Sequence, residues 1–533
     1  MSKPILARLI AILAAAGAFP AQSQITTAHV TGGAVQAIET GGLAIFKGIP
    51  FAAPPVGELR WRAPQAVKSW TGVKNADKFA PGCAQDAAMS VRFGAPNSFS
   101  EDCLYLNVWS PAKSAREKLP VMVWIYGGGF TAGTTSIPLY DGARLAHKGV
   151  VLVSVAYRLG PFGFLAHPDL SRESGKGSGT YGLQDMIAGL EWVKRNIAAF
   201  GGDPGRVTIF GESAGGIAVS MLAASPLAKG LYQGAISESG GNFAPPRFAS
   251  EGGQNGASLP IAEQEGQKFL AALGAQDAKA GRALSAEQLQ KAAGPALARF
   301  WPAFDGNVLP GDQYELYSAG RFNETPVLIG TNSDEGALFA RPGVTRASFE
   351  EQIRGGYGAK ADAILMAYPH ATDAEAIKSS KNIFRDTSFA WPTWSWARLQ
   401  SRQNKDNGKN KVYVYYFDHR TPTSPEGSTH AAEMTYVFGN PGGPDAVPGH
   451  APSADEAALS DRMSDYWVNF AKHSDPNAPG LPSWPAFSEP TQTVMHIESA
   501  AQAKSEPVPN LAQLTALDGY YAWRRDLART KTK

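Results

Sequence analysis

A pentapeptide set between a strand-like and a helix-like run most narrowly limits what this chain can fold into. Gly211-Glu212-Ser213-Ala214-Gly215 follows the apolar run Val207-Thr208-Ile209-Phe210. It precedes Gly216-Ile217-Ala218-Val219-Ser220-Met221-Leu222-Ala223, which suits a helix. Strand, sharp turn and helix with G-x-S-x-G at the turn form a nucleophile elbow. A side chain on either flank of so tight a turn would collide with the neighbouring strand or helix, and glycine removes the collision. Ser213 is left at the tip, at the positive end of the helix. A serine hydroxyl is a weak nucleophile at neutral pH, so the rest of the chain must supply a base and an oxyanion site.

The surroundings of the elbow predict a layered α/β architecture. Five further apolar runs lack polar alternation: 119–126, 150–157, 233–237, 326–330 and 411–417. Such runs are strands buried on both faces, as in a mostly parallel sheet flanked by helices. Leu183 to Phe200 carries apolar residues at helix spacing (Ile187, Leu190, Val193, Ile197), and Asp461 to His473 is a second helix. Ala28 to Val35 and Leu43 to Lys47 alternate like the strands of an N-terminal hairpin. Residues 250–320 and 345–400 hold few strands and are expected to be helical insertions forming a cap or gorge. No linker divides the chain, so residues 24–533 are expected to form one catalytic domain with insertions.

The first 23 residues have the pattern of a secretory signal: Lys3 and Arg8, an apolar stretch from Leu9 to Phe19, then Ala21-Gln22-Ser23 before Gln24. The apolar stretch is too short to span a bilayer. No cysteine follows it and no later segment reaches membrane-span length, so no stable membrane anchor is expected. Without this segment the basic and acidic residues are equal in number. That balance argues against nucleic acid or anionic membranes as partners. Cys83 and Cys103 are the only cysteines. In an exported chain an even count implies one disulfide, which closes a loop of about 20 residues and contributes roughly 3 kcal/mol. Two cysteines so far apart lack the clustering of a metal site.

In an elbow of this kind the order is Ser, then Asp or Glu, then His. The acid should follow a later strand. Pro326 to Gly330 is such a strand, and Thr331-Asn332-Ser333-Asp334-Glu335-Gly336 follows it, leaving Asp334 and Glu335 as candidates. Six histidines lie downstream: His370, His419, His430, His450, His473 and His496. His473 falls in a helix and His496 in a strand. His419 directly after the 411–417 strand, or His430 in the loop beyond, can best reach the elbow. Gly127-Gly128-Gly129 ends the 119–126 strand and can bring its N–H groups close to a substrate, together with that of Ala214.

Taken together these residues resemble the type-B carboxylesterases, an α/β-hydrolase family that includes the cholinesterases. Phe200 through Gly215 is similar to that family's serine signature, and Glu101-Asp102-Cys103-Leu104-Tyr105-Leu106-Asn107-Val108 to its second signature. The resemblance covers nearly the whole chain after the signal, and Cys83–Cys103 matches the family's first disulfide. It implies an α/β-hydrolase fold and a serine carboxylesterase that acts on small-molecule esters without metal or organic cofactor. Its acid is the Glu of an Asp-Glu-Gly turn, which is Glu335 here. Its base resembles His430 in His430-Ala431-Ala432-Glu433. Gly128, Gly129 and Ala214 correspond to its oxyanion hole, and Glu212 and Ser239 to residues that support the histidine. Amide or lactone hydrolysis uses the same triad, and non-catalytic adhesion members lack a triad residue that this chain keeps. Cholinesterases carry a tryptophan in the first disulfide loop that holds a quaternary ammonium. Ala84 to Asp102 has none, so choline esters are not expected as substrates. Trp391, Trp394 and Trp396 are candidates for a gorge lining, with core packing expected of at least two.

Overall fold

The computed structural model describes residues 24–92, 94–251, 255–294, 300–403, 408–440 and 452–531. The signal-like segment and His450 lie outside them. One eleven-stranded sheet organises the chain. Its strands are β1 (Ile38–Thr40), β2 (Leu43–Pro50), β3 (Tyr105–Ser110), β4 (Leu119–Ile125), β5 (Val151–Val155), β6 (Gly202–Glu212), β7 (Gly234–Glu238), β8 (Val327–Asn332), β9 (Val412–Phe417), β10 (Thr493–Ile497) and β11 (Ala503–Pro507). The spatial order is β11-β10-β9-β8-β7-β6-β4-β5-β3-β2-β1. From β5 to β10 every neighbouring pair is parallel. The two edges are antiparallel. All six apolar runs of the sequence are strands of the parallel part. Their continuous burial follows from helices on both faces.

The helices that bear on the site are α1 (Tyr181–Asn196), α2 (Ala214–Ala224), α3 (Trp391–Arg402), α4 (Met434–Phe438), α5 (Ala454–His473) and α6 (Leu511–Lys531). α2 packs on the face of β6 to which Gly211 belongs. α4 and α5 pack on the other face. There Phe210 lies 4.8 Å from Trp124 and 5.7 Å from Phe438, ring to ring. Trp467 of α5 donates its indole N–H to Glu238 at the end of β7. Among the described residues no helix is long and apolar enough to cross a membrane.

The N-terminal strands pair differently from the sequence expectation. Ala28 to Val35 is two short strands, Thr27–Val30 and Gly33–Gln36, which pair with each other. Gly32, at φ 107°, turns the chain between them. Trp70 closes over the turn so tightly that a Cβ on Gly32 would come within 2.3 Å of its ring. Leu43–Pro50 pairs instead with β1 and β3. β3 was hidden in the sequence because Asn107 interrupts its apolar pattern. The Asn107 amide is satisfied inside the sheet by Gly48 N–H, Thr135 Oγ1 and Ser154 Oγ, so a polar residue sits in a fully buried strand at little cost.

The three tryptophans of α3 are buried. Trp391 packs on Tyr521 of α6, and Trp396 on Phe243 and Tyr317. Trp394 donates to Gln492 at 2.9 Å under the Arg398 guanidinium. Packing is thus their structural role. The described residues of 250–320 and 345–400 carry helices and no strand of the sheet, in line with the scarcity of strand-like runs in their sequence. Cys83 and Cys103 form a disulfide with Cα atoms 4.9 Å apart.

Phe210, fully buried between Trp124 and Phe438, tests how far this aromatic layer supports the sheet. Phe210→Ala should cost about 3–5 kcal/mol in denaturant-induced unfolding. A loss below about 1 kcal/mol would show that the layer does not bear on stability.

Candidate active site

The site begins where β6 meets α2. Ser213 occupies the turn at φ 54° and ψ −124°, a strained conformation for a residue with a side chain. Its N–H donates to Glu238 O at 2.9 Å, and its C=O accepts from Ile217 N at 2.8 Å. The strain is held because β4, β6 and α2 meet with no room between them. A Cβ on Gly215 would lie 2.0 Å from Ile125 O, and one on Gly211 would lie 2.6 Å from the same oxygen. The glycines therefore allow the contact that exposes the serine.

The triple glycine folds back beside this turn. Gly127 abuts Glu212 and Ser213, its missing Cβ lying 2.7 Å from Glu212 O and 3.1 Å from Ser213 Cβ. Gly128 (φ 104°), Gly129 (φ 63°) and Phe130 (φ 59°) continue in the left-handed region. Gly128 O accepts from the N–H groups of Thr131 and Ala132. Among the described residues none accepts a hydrogen bond from the N–H groups of Gly128, Gly129 or Ala214. Donors left open beside a serine are what an oxyanion requires.

Glu335 and His430 come from the loops after β8 and β9. Glu335 opens a short 3-10 turn, Glu335–Phe339, and is fully buried. Its Oε2 lies 2.5 Å from His430 Nδ1. Its Oε1 accepts from Ser239 Oγ at 2.5 Å and Asn332 N at 2.8 Å. Every lone-pair direction that matters is used, which fixes the carboxylate and hence the ring. His430 Nε2 points at the elbow, 3.2 Å from Glu212 Oε1. Phe389 stacks on the imidazole with ring centroids 4.5 Å apart, and Phe339 meets it edge-on at 5.4 Å.

This geometry separates the candidates that the sequence left open. Of the two candidate acids, Glu335 contacts the imidazole, and the Asp334 N–H donates to Ser428 O. His430, not His419, reaches the elbow; His419 Nδ1 instead lies 2.8 Å from Glu498 O. His370 turns to Tyr368 O, and His496 to Glu506. Glu212 and Ser239 both touch the Glu335–His430 pair.

Two further carboxyls were not singled out in the sequence. Glu238 stands beside Glu212, and Glu433 is bonded to the Asn332 side chain. Glu238 could have been found as a charge ending the apolar run that leads to Ser239. Burial pushes Glu212 well above the carboxylate range, with Glu335 and Glu238 adding to the rise. Burial likewise lifts Glu238 to about 8, opposed by the Trp467 hydrogen bond.

A strained serine between strand and helix, open backbone donors beside it, and a carboxylate–imidazole pair at the ends of later strands define an α/β-hydrolase. Residues 20–513 match the family model described as the carboxylesterase family. The chain belongs to that family. It is 38% identical over 486 residues to the fumonisin B1 esterase of Sphingopyxis macrogoltabida, covering 86% of this chain and 84% of that one. It is 35% identical to the para-nitrobenzyl esterase of Bacillus subtilis (strain 168), covering 89% of this chain and 95% of that one. A solved PNB esterase structure superposes with a TM-score of 0.81 at 32% identity, covering 93% of this chain and 99% of that one.

Gly215→Ala forces a methyl group against the carbonyl of Ile125. It should destabilise the protein by about 3 kcal/mol or more, read from denaturant unfolding or from failure to accumulate folded protein. A variant as stable as the parent would contradict the packing described for the elbow.

Proposed function

We propose that Ser213, His430 and Glu335 carry out carboxylic ester hydrolysis through an acyl-enzyme. The chain is a carboxylic ester hydrolase by family, and the site supports these roles for its residues. Ser213 Oγ attacks the ester carbonyl while His430 Nε2 takes its proton. Glu335 holds the ring through Nδ1 and stabilises its charged form. The N–H groups of Gly128, Gly129 and Ala214 bind the oxyanion. His430 returns the proton to the departing alcohol, then draws one from water, whose attack releases the acid and frees Ser213. The single observation that carries this reading is the 2.5 Å contact between Glu335 and His430, made beside a strained serine turn.

Ester turnover tests it. Ser213→Ala and His430→Gln should each lower kcat by at least about a thousandfold, and Glu335→Gln by a smaller but still large factor. Substantial turnover by Ser213→Ala would refute the assignment of the nucleophile.

The substrate is a small-molecule ester, and the absence of tryptophan from Ala84 to Asp102 favours esters without a quaternary ammonium. kcat/KM for a choline ester should fall well below that for a neutral ester of the same acid; equal values would overturn this preference. The signal pattern of residues 1–23 supports export to the periplasm or the medium, and one catalytic domain over residues 24–533. N-terminal sequencing of the protein recovered outside the cytoplasm should begin at or near Gln24. Full-length protein confined to the cytoplasm would contradict export.

A further inference from the structure

Four carboxyl groups, those of Glu212, Glu238, Glu335 and Glu433, are buried, and the first and third contact the His430 imidazole. Among the described residues no lysine or arginine forms an ion pair with any of them. Glu335 is accounted for by its three partners. Glu212 and Glu238 are not.

These two residues are direct register partners on the parallel strands β6 and β7. Their side chains therefore leave the sheet on the same face, from backbones about 4.8 Å apart. Glu238 Oε1 accepts from Trp467 Nε1 at 2.9 Å, while Oε2 is buried without a hydrogen-bond partner. Glu212 Oε1 also forms no hydrogen bond, although His430 Nε2 stands 3.2 Å away. Two buried carboxylates side by side, with no cation beside them, cannot both stay ionised. Glu212 faces the imidazole and is placed to carry the negative charge. Glu238 faces an indole N–H and other carboxyls and is placed to carry the proton.

We propose that Glu238 is a positioning residue for the reaction: its carboxyl is the protonated half of a pair with Glu212, so that one negative charge rather than two stands behind His430. The proposal rests on the reading of His430 as the base. A second anion at this place would hold the imidazolium against Glu212 and hinder the return of its proton to the leaving alcohol. The titratable groups facing Glu238 are Glu212 on β6, Tyr415 on β9 and Glu433 at the start of α4. From α5 it meets the neutral indole of Trp467. All of its titratable neighbours are acids, so each favours the proton on Glu238. Burial raises the Glu238 carboxyl to about 8, against the Trp467 hydrogen bond. The neutral form is kept below that pH and lost as pH rises through it.

The test combines infrared spectroscopy of the intact enzyme with pH–rate profiles. At neutral pH the wild type should show a protonated-carboxyl stretch that is missing in Glu238→Gln and fades as pH rises through about 8. The kcat profile of the wild type, scaled to its own maximum, should decline over the same range with KM little changed. In Glu238→Gln that decline should move up by at least about one pH unit. Absence of the band, or a decline identical in both proteins, would overturn the proposal. If Glu238→Gln does not fold, Glu212→Gln decides. With the neighbouring charge gone, the midpoint of the band should fall by about one unit or more, and an unmoved midpoint overturns the pairing. Full turnover by His430→Gln would overturn the base instead, and the band, which needs no turnover, would still report on Glu238.

Discussion

The site depends on one close approach of backbone to backbone. The carbonyl of Ile125 occupies the space that a side chain at position 215 would need. The end of β4, the end of β6 and the start of α2 are therefore brought together at the distance only glycine permits. Three consequences follow from that contact. Ser213 is pushed into a strained conformation at the helix start. Gly127, which continues β4, is laid against Glu212 and Ser213. Among the described residues none accepts from the N–H groups of Gly128, Gly129 or Ala214. The serine turn and the open backbone donors are thus products of the same packing event, which fixes them before any substrate arrives.

Glu335 and His430 are brought together by a different constraint, the parallel order β6-β7-β8-β9. Loops leaving the carboxyl ends of parallel strands emerge on one edge of the sheet. Glu335 after β8 and His430 after β9 meet there because their strands are neighbours. Ser239, just beyond β7, reaches Glu335 for the same reason. Strand order therefore does for the imidazole what the glycine contact does for the serine. It also gathers the buried carboxyls of Glu212, Glu238 and Glu433 near one another, where protonation states become interdependent.

Much of this was legible in the sequence, for identifiable reasons. The six runs without alternation could only be strands covered on both faces, and the sheet bears out that reading. The elbow was legible because its glycines are a local steric requirement. The choice between Asp334 and Glu335, and between His419 and His430, was closed to local reasoning, since adjacent residues in a turn differ only in the direction they face. Family resemblance chose the pair that the geometry brings together. The N-terminal pairing was misread because Gly32 reverses the chain inside a stretch whose alternation is unbroken. β3 was missed because Asn107 finds its partners from three other segments. Glu238 escaped notice because its interest lies across a strand pair, in the residue beside it.

The proposed relay from Glu335 through His430 to Ser213 is tested most directly by trapping the covalent intermediate. The enzyme would be mixed with an activated ester and quenched within the first turnovers, and the acyl adduct located by peptide mass spectrometry. The adduct is expected on the peptide that contains Ser213, to be absent from Ser213→Ala, and to form far more slowly in His430→Gln. An adduct on another residue, or turnover with no acyl-enzyme at all, would contradict it.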